Sequence, residues 1–178
     1  MSILKLLKLE PTQSSGSSAE TETVRKIANA LEKLDENDAR FIAAFAYLLS
    51  RVARADLTVS PEETRAMERI VMEQAGLPEE QAILVIQMAK TQNKLFGGTE
   101  NYLVTREFNN IASHEQKLLL LQCLFAVSAA DDNISTVEDN EVSQIADELR
   151  IEHREFIAVR SRFREYLAVL KKTPETKS

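Results

Sequence analysis

Two pairs of carboxylates, Asp56 with Glu63 and Asp131 with Glu138, are the residues of this chain whose type and spacing could do chemistry. Each pair lies in one of two matching stretches, ARADLTVSPEE over residues 53–63 and SAADDNISTVE over residues 128–138. Carboxylate oxygens are hard ligands that suit Ca²⁺, Mg²⁺ or Mn²⁺ better than zinc. Each aspartate closes one apolar run and each glutamate opens the next, so a tight helix–loop–helix turn would bring both carboxylates to one spot. In the second stretch Asp132, Asn133 and Glu141 supply further oxygens. The first is poorer, with Leu57 and Thr58 at the positions of Asp132 and Asn133. Neither is an EF-hand loop, because the twelfth position counted from Asp131 is Val142, where such a loop needs a bidentate glutamate.

The same residues support a second reading without any metal. Ser60-Pro61-Glu62-Glu63 and Ser135-Thr136-Val137-Glu138 both have the form of a capping box. There the serine hydroxyl accepts an amide of the first turn, and the glutamate three positions on accepts the serine's own N–H. Carboxylates at that place also complement the helix dipole, and Asp56 and Asp131 suit Asx-type turns. Both readings remain open at the level of spacing.

The elements that must position these residues are helical. An offset of 75 positions lays the second stretch on the first and holds upstream, where Phe45, Leu49 and Val52 meet Leu120, Leu124 and Val127, and downstream, where Ile70 meets Ile145. Apolar spacing of three and four predicts a helix through Val24, Ile27 and Leu31, and a second, capped by Asn37 or Asp38, through Ile42, Phe45, Leu49 and Val52 to about Ala55. A third starts at Ser60 and stops at Gly76, and a fourth follows Pro78. Gly97-Gly98 is a break before a fifth helix with Tyr102 and Phe108. Ser113-His114-Glu115-Gln116 opens a sixth, Ser135 a seventh, and a last helix carries Phe156, Ile157, Val159, Phe163, Tyr166 and Leu167. No segment alternates with the period of a strand. The expectation is an all-α bundle of about seven to eight helices with an internal pseudo-two-fold repeat. It consists of residues 21–170 as one domain, behind an amphipathic segment over residues 1–9 and a Ser-rich flexible linker over residues 10–20. A disordered polar tail over residues 171–178 follows.

Composition narrows the function classes. A formal charge of −6 and an isoelectric point near 5.1 are wrong for binding nucleic acid, which needs a basic face. There is no phosphate-cradling glycine loop, no nucleophile elbow and no His–carboxylate pair legible in the sequence, with His114 and His153 far apart. Cys123, alone in the run KLLLLQCLFAV, reads as a buried and inert thiol, compatible with a reducing cytoplasm. No stretch reaches the ~20 apolar residues of a membrane span. Residues 1–9, MSILKLLKL, could touch a membrane surface or a partner peripherally.

ADLTVSPEE and ADDNISTVED, each within a helical hairpin, resemble the TerB-like family, as does AADDNISTVEDNEVSQIADEL followed by HREFIAVR. That family includes a tellurite-resistance protein and the N-terminal domain of a DnaJ-like membrane co-chaperone, and the stretch from Lys117 to Arg162 is similar to an uncharacterised bacterial branch. The resemblance covers about residues 38–165 and implies an all-helical fold with related halves, a proposed acidic metal site and a role in tellurite or other stress. The family's usual motif has glycine after the aspartate, where this chain has Leu57 and Asp132. The resulting expectation is a non-enzymatic cytoplasmic module that binds a divalent cation or a protein partner in a stress response. The alternatives are a metal-free adaptor whose acidic loops are only helix caps, and a metal-dependent hydrolase, for which no general base is visible.

Overall fold

The computed structural model describes residues 18–52, 61–92 and 101–171, and all eight α-helices named below fall within them. They are α1 (Ser18–Glu32), α2 (Glu36–Val52), α3 (Pro61–Ala75), α4 (Glu79–Gln92), α5 (Asn101–Ile111), α6 (His114–Ser128), α7 (Thr136–Glu148) and α8 (His153–Ser161). A 3-10 turn, Ala129–Asp131, leads out of α6, and two more, Arg164–Tyr166 and Ala168–Leu170, follow α8. Among the described residues there is no strand, only an isolated parallel bridge between Ile134 and Leu167. The all-helical expectation holds. The N-terminal segment over residues 1–9, the turn containing Asp56 and Ser60, and Gly97-Gly98 lie outside the described residues.

The core is built around α2. Its sequence ENDARFIAAFAYLLSRV combines alanines, which cost least in a helix, with apolar residues on nearly every side, and ten of its residues are buried. It packs against α4, α5, α6 and α7, while α3 packs on α4 and α6. Phe45 and Phe108 are fully buried with ring centroids 6.5 Å apart, and Phe41 stacks on Phe108 at 5.3 Å. The second aromatic group joins Phe125 of α6 to Phe156 and Phe163. Fully burying a phenylalanine side chain, as at Phe45, Phe108 and Phe125, contributes ~1.5–3 kcal/mol.

Helix ends follow local chemistry. The cap of α2 is Asp35, not Asn37 or Asp38: its Oδ1 accepts the N–H groups of both, at 2.9 and 3.1 Å. Gly76, at φ +66, ends α3 in the left-handed conformation that glycine adopts without strain. After α7, Arg150 takes φ 57, and the Ile151 N–H bonds the Ala146 carbonyl at 3.0 Å.

Three boundaries differ from the sequence reading. α1 begins at Ser18, three residues inside the segment read as linker. The last helix stops at Ser161, so Phe163, Tyr166 and Leu167 lie beyond it in turn, 3-10 and extended backbone respectively. Their apolar spacing fits a helix, but Leu167 adopts an extended conformation (φ −70, ψ 114) and pairs with Ile134, a tertiary contact that local pattern does not encode. Lys171, read as the first residue of the tail, is held against the loop between α6 and α7.

The helix pairs α2/α3 and α6/α7 carry the matching stretches. Phe45, Leu49 and Val52 are buried, as are their counterparts Leu120, Leu124 and Val127. Ile70 is half-buried and Ile145 fully buried. Residues 53–60, between α2 and α3, lie outside the described residues.

Candidate functional site

The second acidic turn is described in full. α6 runs into the 3-10 turn, whose last residue, Asp131, is exposed. Asp132 follows in the left-handed region (φ 57, ψ 15), its N–H bonded to the Ala129 carbonyl at 2.9 Å. Asp is one of the few side chains that tolerate this conformation, so the acidic residue itself makes the sharp turn. Ile134 then points inward, fully buried. Ser135 is the N-cap of α7 (φ −66, ψ 157).

The capping box read from Ser135 and Glu138 is formed. The Ser135 Oγ accepts the Glu138 N–H at 3.2 Å. Glu138 Oε2 in turn accepts the Ser135 N–H at 2.8 Å and the Ser135 hydroxyl at 2.6 Å. The box read from Ser113 and Gln116 is also formed, with the Ser113 N–H on Gln116 Oε1 at 2.8 Å. Glu141 is half-buried, and its Oε1 accepts the Arg51 Nε–H at 2.7 Å. The Asn133 Oδ1 accepts a bond from Lys171 Nζ at 3.2 Å, and the Asp132 carbonyl accepts another at 2.6 Å. Of the second-half candidates, Asp131 and Asp132 keep exposed carboxylates. In the first half, Asp56 lies outside the described residues, as does the side chain of Glu63 in the first turn of α3. Among the described residues no group of three or more His, Cys, Asp or Glu side chains is placed to hold a metal ion.

Among the polar links between distant parts of the chain that sequence reasoning missed, three ion-pair links involve α7 or α8. Arg51, at the end of α2, has only 5% of its side chain exposed. Besides Glu141 it meets Glu148, with Nη1 on Oε2 at 2.7 Å and Nη2 on Oε1 at 3.2 Å. Glu141 and Glu148 lie two turns apart on one face of α7, so one guanidinium spans both. The Thr105 hydroxyl of α5 also donates to Glu148, at 2.7 Å, and the Gln144 amide does so at 3.0 Å. Burial pushes the Glu148 carboxyl up, but the bonds from Arg51 and Thr105, the Arg51 charge and the Gln144 bond outweigh it and hold it below its ordinary value. The second link is bidentate, from Arg160 of α8 to the buried Asp139, at 2.8 and 2.6 Å. The third is His114 Nε2 on Glu155 Oε1 at 2.8 Å, a pair 41 positions apart at the surface. No local motif announces any of these.

Cys123 and Phe108 are structural. Cys123 is fully buried, and desolvation pushes its thiol up to about 12, which removes thiolate reactivity. Phe108 is core. The side chain of Tyr102 lies outside the described residues. Among the described residues no helix is long and apolar enough to cross a membrane.

These features define an all-helical module whose acidic turn is a capped junction between two helices, tied by ion pairs to the rest of the bundle. Residues 41–161, about two thirds of the chain, match the family model described as tellurite resistance protein TerB, and the chain belongs to that family. No curated protein and no solved structure gives a significant match.

Proposed function

We propose that this chain is a non-enzymatic helical module that acts by contact with a protein partner, in the tellurite-resistance setting that its family's description names. Its second acidic turn, in this reading, is a structural junction and not a resident metal centre. The observation that carries the reading is Glu138, whose carboxylate is turned onto its own N-cap by two bonds to Ser135. A carboxylate engaged in closing its own helix supports a cap role, and the engagement of Glu141 by Arg51 and of Asn133 by Lys171 supports it further. An incoming ion would meet the two exposed carboxylates of Asp131 and Asp132, whereas Ca²⁺ takes about 6–8 oxygens.

One observation favours the cation reading. An ammonium group already rests on the Asp132 carbonyl and the Asn133 amide oxygen, so this turn attracts positive charge. If a divalent ion binds here, Asp131 and Asp132 would be its first contacts, with Glu138 released from its cap to join them.

Glu138→Gln separates the two readings. Glutamine closes a capping box as well as glutamate does, and this chain already uses Gln116 that way, but it removes the charge a cation needs. As a cap, Glu138→Gln melts close to wild type, and neither protein responds to millimolar Ca²⁺, Mg²⁺ or Mn²⁺. As a ligand, Glu138 gives the wild type a cation-dependent rise in melting temperature that the variant loses. The second outcome would replace the proposal.

A further inference from the structure

The chain after α8 does more than end the fold. The Ile134 N–H donates to the Tyr166 carbonyl at 2.7 Å, and the Ala168 N–H donates to the Ile134 carbonyl at 2.9 Å. Between these bonds Leu167, extended and 1% exposed, is buried beside the fully buried Ile134. Four residues further on, Lys171 caps the Asp132 carbonyl and the Asn133 side chain, in a turn where Asp131 and Asp132 are exposed. Residues 166–171 thus hold the acidic turn through one extended residue, Leu167, set between two 3-10 turns. Main-chain bonds give adhesion, one apolar side chain gives depth, and one cation matches the charge.

The attachment is small. It consists of two main-chain bonds, one buried leucine, the half-buried Tyr166 packed against the core and one ammonium, while the neighbouring Val169 and Leu170 remain 58% and 48% exposed. An open surface groove lined by Arg162, Arg164, Leu170 and Lys171 among others borders the same segment. The helices that form the core do not depend on it for their own hydrogen bonds.

We propose that the turn formed by residues 131–135 is an acceptor site for a protein segment extended at one apolar residue, and that residues 166–171 occupy it in cis as an autoinhibitory strap. A partner segment would carry an apolar residue for the seat of Leu167 and a lysine or arginine four positions later, to face the same acidic turn. This rests on the interaction-module reading and deepens it, by naming the surface, the partner's chemistry and the device that regulates access.

The test uses the full chain with Ala168→Pro and Lys171→Ala. Proline at position 168 removes the N–H that bonds Ile134, and the extended Leu167 before it (ψ 114) is compatible with a following proline. The probe is a labelled synthetic peptide with the sequence of residues 162–171, RFREYLAVLK. The double variant should keep its helicity, exchange the Ile134 amide faster, and bind the peptide at least tenfold more tightly than wild type does. A peptide with aspartate at the Leu167 position should not bind. Equal affinity of wild type and variant, or no binding to a helical variant whose Ile134 amide is freed, would overturn the proposal. If the double variant fails to fold, Lys171→Ala alone should still raise peptide affinity, and an unchanged affinity overturns the proposal. A variant that dimerises in sedimentation instead of taking the peptide would mean that the occupant is a second copy, and would also overturn it. Peptide failure in a protein inert to divalent cations leaves the interaction-module reading standing. Cation-dependent stabilisation that Glu138→Gln abolishes removes that reading whatever the peptide does.

Discussion

Arg51 brings a full positive charge to a place where 5% of its side chain is exposed, and two carboxylates of α7 meet it there. Removing Arg51 leaves two half-buried carboxylates without their charged donor, so Arg51→Ala should lower stability by about 1–3 kcal/mol in urea unfolding. The sign of the pH effect follows from Glu148, whose carboxyl is held below its ordinary value of 4.5. A lowered carboxyl contributes stability that is complete above the ordinary value and is lost as pH falls through the folded value. Melting temperature should therefore fall more steeply below pH 4.5 in the wild type than in Glu148→Gln, which has no such proton to take up. None of this was legible in the sequence. Arg51 lies 90 positions from Glu141 and 97 from Glu148, and nothing local marks either glutamate as its partner. Glu141 reads in the sequence as a spare oxygen for a cation, and in the fold it is an ion-pair partner. Glu138 is the opposite case: its spacing from Ser135 announced the bond it makes, because a capping box is a contact within one turn.

At the scale of elements, helices were legible because apolar spacing and end signals agree. Ser113, Ser135 and Gly76 mark boundaries that the fold keeps. Ser135→Ala should cost about 0.5–2 kcal/mol, since it leaves the Glu138 N–H without its acceptor, and a loss indistinguishable from zero in denaturant unfolding would contradict the cap. Gly76→Ala should cost about 1 kcal/mol although a Cβ there meets nothing within 4 Å, because the loss comes from the φ of +66 and not from crowding. A thermal melt that matches wild type would contradict that assignment. The segment after α8 was misread for the complementary reason. Phe163, Tyr166 and Leu167 satisfy a helical pattern locally, but Phe163 stacks on Phe125 and Leu167 pairs with Ile134. Two tertiary contacts override a weak local preference, and the helix ends at Ser161.

For the whole molecule, α4, α5, α6 and α7 pack around the buried α2, and the chain joins the TerB family over residues 41–161. Its two matching stretches suggested paired metal sites. The described turn instead shows oxygens already taken up by a helix cap, an arginine and a lysine. The measurement that bears most directly on this account is calorimetric titration of Ca²⁺, Mg²⁺ and Mn²⁺ into the chelator-treated full chain. A turn that serves as a capped junction should give no saturable heat with any of the three. A saturable one-site heat that disappears in Asp131→Asn, with helicity intact, would show that the acidic turn is a cation site and would contradict the account.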